Sequence, residues 1–154
     1  MKKLFLIIFF SFFLLCNSNA QEVPSGKSMN SFLEVNFGVA YQKDLAFIFP
    51  GTSFLWGQNY ISKNNFIFEY EVGLAFPSIF TGKFGIGKKF NSTKVVAGIR
   101  PFPFNFYLQS SIASRENGYW IASIEFNPFN SVSFLGEIKA ILNFGYRWNI
   151  DKKN

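Results

Sequence analysis

The chain has 154 residues, with 23 Phe, a single Cys and no His. Lack of His removes Ser–His and Cys–His nucleophile pairs and most transition-metal sites. The net charge of +6 is scattered, with Lys88-Lys89 and Lys152-Lys153 the basic doublets after the first few residues, whereas a nucleic-acid binder needs a clustered stripe.

Met1-Lys2-Lys3 is followed by an apolar run from Leu4 to Leu15 and then by Cys16-Asn17-Ser18-Asn19-Ala20. A basic start, an apolar segment too short to span a bilayer, and small residues at Ser18 and Ala20 predict a secretory signal cleaved after Ala20. Leu15 ahead of Cys16 is the wrong residue for a lipoprotein site. Removal of residues 1–20 leaves about 134 residues, enough for one domain, and no cysteine to staple it. Gln21–Ser31 reads as a polar leader.

From Phe32 the chain alternates with a period of two, the signature of strands with unlike faces. Strand 1, Phe32–Tyr41, sets Leu33, Val35, Phe37, Val39 and Tyr41 against Glu34, Asn36, Gly38 and Ala40. Gln42–Ser53 contains Pro50-Gly51, a turn signal, and is expected to be the one long connection. Strand 2 is expected near Phe54–Ile61, with a polar turn at Ser62–Asn65. Strand 3, Phe66–Phe76, is the clearest: Phe66, Phe68, Tyr70, Val72, Leu74 and Phe76 form one column, and Ile67, Glu69, Glu71, Gly73 and Ala75 the other.

Pro77-Ser78-Ile79 closes a hairpin into strand 4. There Phe80, Gly82, Phe84, Ile86 and Phe90 oppose Thr81, Lys83, Gly85, Gly87 and Lys89. After a turn at Asn91-Ser92-Thr93, strand 5 (Lys94–Pro101) puts Val95, Ala97 and Ile99 out and Val96, Gly98 and Arg100 in. Strand 6 lies near Asn105–Ser114, strand 7 at Tyr119–Phe126, and strand 8 within Ser133–Ile150. In strand 8 Ile138, Ala140, Leu142, Phe144, Tyr146 and Trp148 share the apolar face. Eight strands of about 9–11 residues with short connections fit the length, and an even number suits an antiparallel sheet closed on itself.

The export signal, the repeated amphipathic strands, the cysteine-free remainder and the ending Asn143-Phe144-Gly145-Tyr146-Arg147-Trp148-Asn149-Ile150 together resemble the small eight-stranded outer-membrane β-barrel proteins of diderm bacteria. The ending departs from the family's assembly signal in having Ile150 at its last strand position and Asp151-Lys152-Lys153-Asn154 after it. The resemblance covers residues 32–150. It implies an up-and-down transmembrane β-barrel in the bacterial outer membrane, whose partners are the lipid bilayer and the outer-membrane assembly machinery. A separate reading makes the chain a subunit of a larger envelope machine, with part of its aromatic exterior as the interface to an unidentified envelope protein. Lipid-modifying enzymes on such barrels resemble His/Ser hydrolases, so this chain lacks their chemistry.

A Lys or Arg at the bilayer midplane costs about 2–4 kcal/mol, so the aromatic columns are expected to face lipid and the charged columns the lumen. The lumen would then hold Glu34, Glu69, Glu71 and Glu125 against Lys83, Lys89, Arg100, Lys139 and Arg147. Glu71 and Lys83 should meet across the strand 3–strand 4 hairpin. So narrow an interior is nearly filled by side chains, and these charges are expected to be structural. A conduit for protons or very small solutes is the alternative use. Trp56, Trp120, Tyr146 and Trp148 are expected in the interfacial aromatic belts, with ligand stacking the alternative. Phe102-Pro103-Phe104 suggests an interface anchor or a partner-binding knob.

Two motifs fail on inspection. Gly82-Lys83-Phe84-Gly85-Ile86-Gly87-Lys88 imitates a phosphate loop, but Lys89 follows where Ser or Thr is needed and no helix follows. Glu69 and Glu71 could be a carboxylate pair, but a sugar would not fit so narrow a barrel. The sequence therefore predicts a non-enzymatic barrel without cofactor or metal. The rival reading is a soluble, lipocalin-like exported barrel that turns its aromatic faces inward around an apolar ligand.

Overall fold

The computed structural model describes residues 28–42, 47–76, 78–114, 118–129 and 138–151. These form eight antiparallel strands: β1 (Ser28–Gln42), β2 (Phe47–Ile61), β3 (Phe66–Phe76), β4 (Ile79–Phe90), β5 (Thr93–Pro101), β6 (Phe104–Ala113), β7 (Gly118–Phe126) and β8 (Ile138–Asn149). Each pairs with its neighbours in sequence, and β8 pairs with β1 to close the barrel. The fold is thus all-β, as the period-two pattern predicts.

Strand 3 has the bounds its alternation gives, and most others differ by a residue or two. Three expectations need correction. β1 begins at Ser28, inside the expected leader, because Ser28–Ser31 pair with Gln58–Ile61. β2 begins at Phe47, and Pro50-Gly51 is strand rather than turn, paired with Val39 and Gly38. On its other side β2 is paired only as far as Thr52–Phe76. Pro50 therefore lies where β2 has one neighbour, the setting in which a strand tolerates proline. Gln42 and Phe47–Ser53 are framework, and residues 43–46 between them lie outside the described residues. Finally, Ile138 is buried instead of lying on the outer face. The β1–β8 register shifts between Tyr41 and Gln42, so that Gln42 faces Ile138; the irregularity reverses the parity of β8 at its start.

Followed around the barrel, Ser31 leads through Gln58, Tyr70, Phe84, Ile99, Phe106, Phe126 and Ala140 back to β1 at Tyr41. That stagger of about ten residues over eight strands tilts the strands by about 40° to the axis. One end of the barrel, here the lower, carries Ser28, the Ser62–Asn65 and Asn91-Ser92 turns and Asp151. The upper end carries the β3–β4 and β5–β6 hairpins. At the seam the Ile150 amide donates to the Ser31 carbonyl at 2.9 Å, and the Ser31 amide donates to the Asp151 carboxylate. Outward positions are mostly apolar and exposed, with Thr52, Gln58, Lys88 and Ser110 as polar exceptions, and the buried side chains point into the lumen.

Candidate functional site: a charged lumen inside an apolar exterior

Among the described residues, strand alternation delivers eight fully or almost fully buried charges to the lumen: Glu34, Glu69, Glu71 and Glu125, and Lys83, Lys94, Arg100 and Arg147. Four of each sign make this set neutral, which favours burial, since an unpaired buried charge costs several kcal/mol.

Arg147 is the hub. Its Nε and Nη2 donate to Glu34 Oε2 at 2.8 and 2.6 Å. Its Nη1 and Nη2 donate to Glu69 Oε2 and Oε1 at 2.6 and 3.0 Å, and Nη2 also reaches Glu71 Oε1 at 2.6 Å. The planar five-donor fork suits this task as a lysine could not. The guanidinium lies 3.6 Å from the ring centroid of Phe32, which is buried beneath it. Glu34 and Arg147 are direct register partners across the β1–β8 seam. The hub therefore ties the closing strands together and anchors both to β3 across the lumen.

Lys83 is the second centre. It is the register partner of Glu71, as the hairpin predicts, with Nζ 3.4 Å from Glu71 Oε2. Glu34 and Glu125 lie at 3.8 and 3.9 Å, and Nζ donates to Gln109 Oε1 at 3.4 Å. Towards the upper end, Arg100 Nη2 donates to Glu125 Oε1 at 2.7 Å. Asn143 and Asn105 donate to the same carboxylate at 3.0 and 3.4 Å.

Lys139 lies outside this buried set, half-buried near the start of β8, and Lys89 is likewise half-buried, near the lower end of β4. Lys94 was missed by sequence reasoning, although it shares the parity of Arg100. Its Nζ sits 3.9 Å from the Tyr119 ring centroid, a cation–π contact that caps the lower lumen. Phe32 was missed as well, since an aromatic residue at a strand start gives no parity signal of its own.

Apolar clusters bracket the charges. Ile61, Ile67, Val96 and Tyr107 pack on the lower side, and Ala40, Ile138 and Ile141 on the upper. Glycines make the room: a Cβ at Gly85 or Gly98 would strike Tyr107, and one at Gly57 would strike Phe32. At the upper mouth a recess of about 30 Å³ touches Arg100, Asn143 and Pro103, room for about one water-sized molecule. Glu69 and Glu71 thus face Arg147 and Lys83 in a packed interior.

Outside, Trp120 and Tyr146 meet edge to face at 5.0 Å, and Tyr146 and Trp148 at 4.9 Å. Trp56 lies 6.2 Å from Tyr70. All five rings lie on the lower half of the exterior. The Tyr70 hydroxyl donates to Gln58 Oε1 at 2.6 Å, and Gln58 Nε2 to Ser31 Oγ at 3.3 Å, a polar chain on the outer surface at that level. The upper half carries Phe, Ile, Leu and Val, with an open furrow of about 500 Å³ walled by Val35, Phe37, Phe54, Leu74 and Phe76. Phe102 projects at the β5–β6 hairpin, and Phe104 packs on Phe129 at 5.4 Å.

The arrangement defines a closed eight-stranded antiparallel barrel with a charge-paired lumen and an apolar exterior. No protein-family model and no curated protein matches the chain. Among solved structures, the chain is similar to one described as "De novo design of transmembrane beta-barrels", at 14% identity over 84% of this chain and 100% of that one, with a TM-score of 0.48. At that identity and score the likeness carries nothing about role.

Proposed function

We propose that this chain is an integral β-barrel of a bacterial outer membrane, exported behind a cleaved signal, with a structural or surface-interaction role and no catalytic one. The observation that supports it is the orientation of the faces. Phe37, Phe54, Phe68, Leu74, Phe84, Leu108, Ile124, Leu142 and Phe144 are all exposed around the wall, while eight charges are buried behind it. Soluble monomers rarely expose contiguous apolar patches beyond a few hundred Å², and this one encircles the barrel. Lipid removes that cost. The reverse placement would set the buried Glu, Lys and Arg in hydrocarbon at about 2–4 kcal/mol per basic residue at the midplane.

The lipocalin-like reading needs the aromatic columns around an internal cavity, and the burial pattern weighs against it. A conduit through the lumen would have to pass both apolar clusters and break the Arg147 hub. The lipid bilayer is the first partner, with assembly machinery required for insertion. A role towards other envelope proteins falls to the exterior and the upper rim.

The test is gel mobility of the washed membrane fraction in SDS, with and without boiling. A folded barrel that shifts on heating supports the proposal. Protein confined to the soluble periplasmic fraction, without a shift, would refute it.

A further inference from the structure

The upper end of the barrel does not match the lower. The lower turns are polar: Ser62, Lys63, Asn64 and Asn65, then Asn91 and Ser92. The β3–β4 and β5–β6 hairpins of the upper end instead present Ile79, Phe80 and Phe102, which are 64%, 68% and 61% exposed. In the β7–β8 connection at the same end, Phe129 is also exposed, at 58%.

Backbone conformation sharpens the contrast. Asn65, Asn91 and Ile79 all have positive φ, at 60°, 50° and 65°. Asn is suited to that region, whereas a β-branched residue is a genuine outlier there. At the lower end the chain puts Asn in the left-handed position. At the upper end it puts Ile, and leaves the side chain exposed. In water an exposed Ile offers nothing against that strain. In hydrocarbon an Asn amide would be left without partners, and Ile is the better choice.

We propose that the shoulder formed by the β3–β4 and β5–β6 hairpins is immersed in lipid, with Ile79, Phe80 and Phe102 against acyl chains. The proposal rests on the membrane reading above and adds to it the depth of these hairpins.

The test places nitroxides at Ile79→Cys, Phe80→Cys and Phe102→Cys, one at a time, in the full chain carrying Cys16→Ser. Leu108→Cys serves as the mid-wall reference and Asn64→Cys as the lower-turn reference. In phospholipid vesicles, collision with oxygen is compared with collision with a water-soluble nickel chelate. The expected oxygen-to-nickel ratio at the three shoulder sites resembles that at Leu108 and exceeds that at Asn64 several-fold. Shoulder sites that follow Asn64 while Leu108 stays in lipid would overturn the proposal and leave the membrane reading standing. Shoulder sites reached by neither reagent would overturn it in favour of a second copy packed on the shoulder. Nickel access at Leu108 as well would defeat both readings together.

Discussion

Arg147→Met is the sharpest perturbation of the lumen. It removes five hydrogen bonds, from 2.6 to 3.0 Å, to three carboxylates. A hydrogen bond to a charged group contributes about 1.5–3 kcal/mol net, but the five do not add, because three share Nη2. Lys83 would still reach Glu71 and Glu34 at 3.4 and 3.8 Å, whereas Glu69 would lose both of its bonds to the guanidinium. Breaking one side of a buried ion pair costs about 3–5 kcal/mol, and that range is the expectation here. In urea unfolding from lipid vesicles, followed by tryptophan fluorescence, it corresponds to a midpoint lowered by about 2 M for a slope of roughly 2 kcal/mol/M. Arg147→Lys should fall between, since it keeps the charge but loses the fork. Adding Glu69→Gln to Arg147→Met should recover about 1 kcal/mol or more, because the two sites are in contact and their effects couple. A midpoint for Arg147→Met within about 0.5 M of the parent would refute the reasoning. It would mean that water screens the lumen and that the hub does not hold the β1–β8 seam.

Leu108 sits mid-wall between Ala97 and Ile124, so Leu108→Arg should cost about 2–4 kcal/mol in vesicles if the wall faces lipid; a neutral effect would favour the soluble barrel. Gly85→Val forces a side chain into Tyr107 and Val96 and should lose at least about 1–3 kcal/mol by overpacking. Tyr107→Phe should be neutral or stabilising in the same unfolding assay, because the buried Tyr107 hydroxyl has no hydrogen-bond partner among the described residues. Deleting residues 49–52 should abolish the heat-shifted gel band, since Pro50, Gly51 and Thr52 pair with β1; a deleted chain that still folds would restore them to a loop.

Strand 3 was legible because its two columns differ at nearly every step, and a one-residue slip would reverse them. The pairing of Glu71 with Lys83 was legible for the same reason, since a tight hairpin leaves little freedom of register. Pro50-Gly51 misled because local turn propensity cannot reveal that β2 outruns β3 and has only one neighbour there. Ile138 misled because a register irregularity reverses parity, and nothing in Lys139 or Ala140 announces it.

By itself the sequence determined an all-β chain of about eight strands, with charges on one face and aromatics on the other, because side-chain alternation is a local consequence of strand geometry. Only the tertiary structure decided that Arg147 would gather Glu34, Glu69 and Glu71, residues up to 113 positions away. It also decided that Lys94 would join the lumen charges against Tyr119, and that Phe32 would lie beneath the guanidinium. Those contacts depend on the closure of β8 on β1 and on the stagger of the whole barrel, which set which strands face one another across the lumen and which residues share a level.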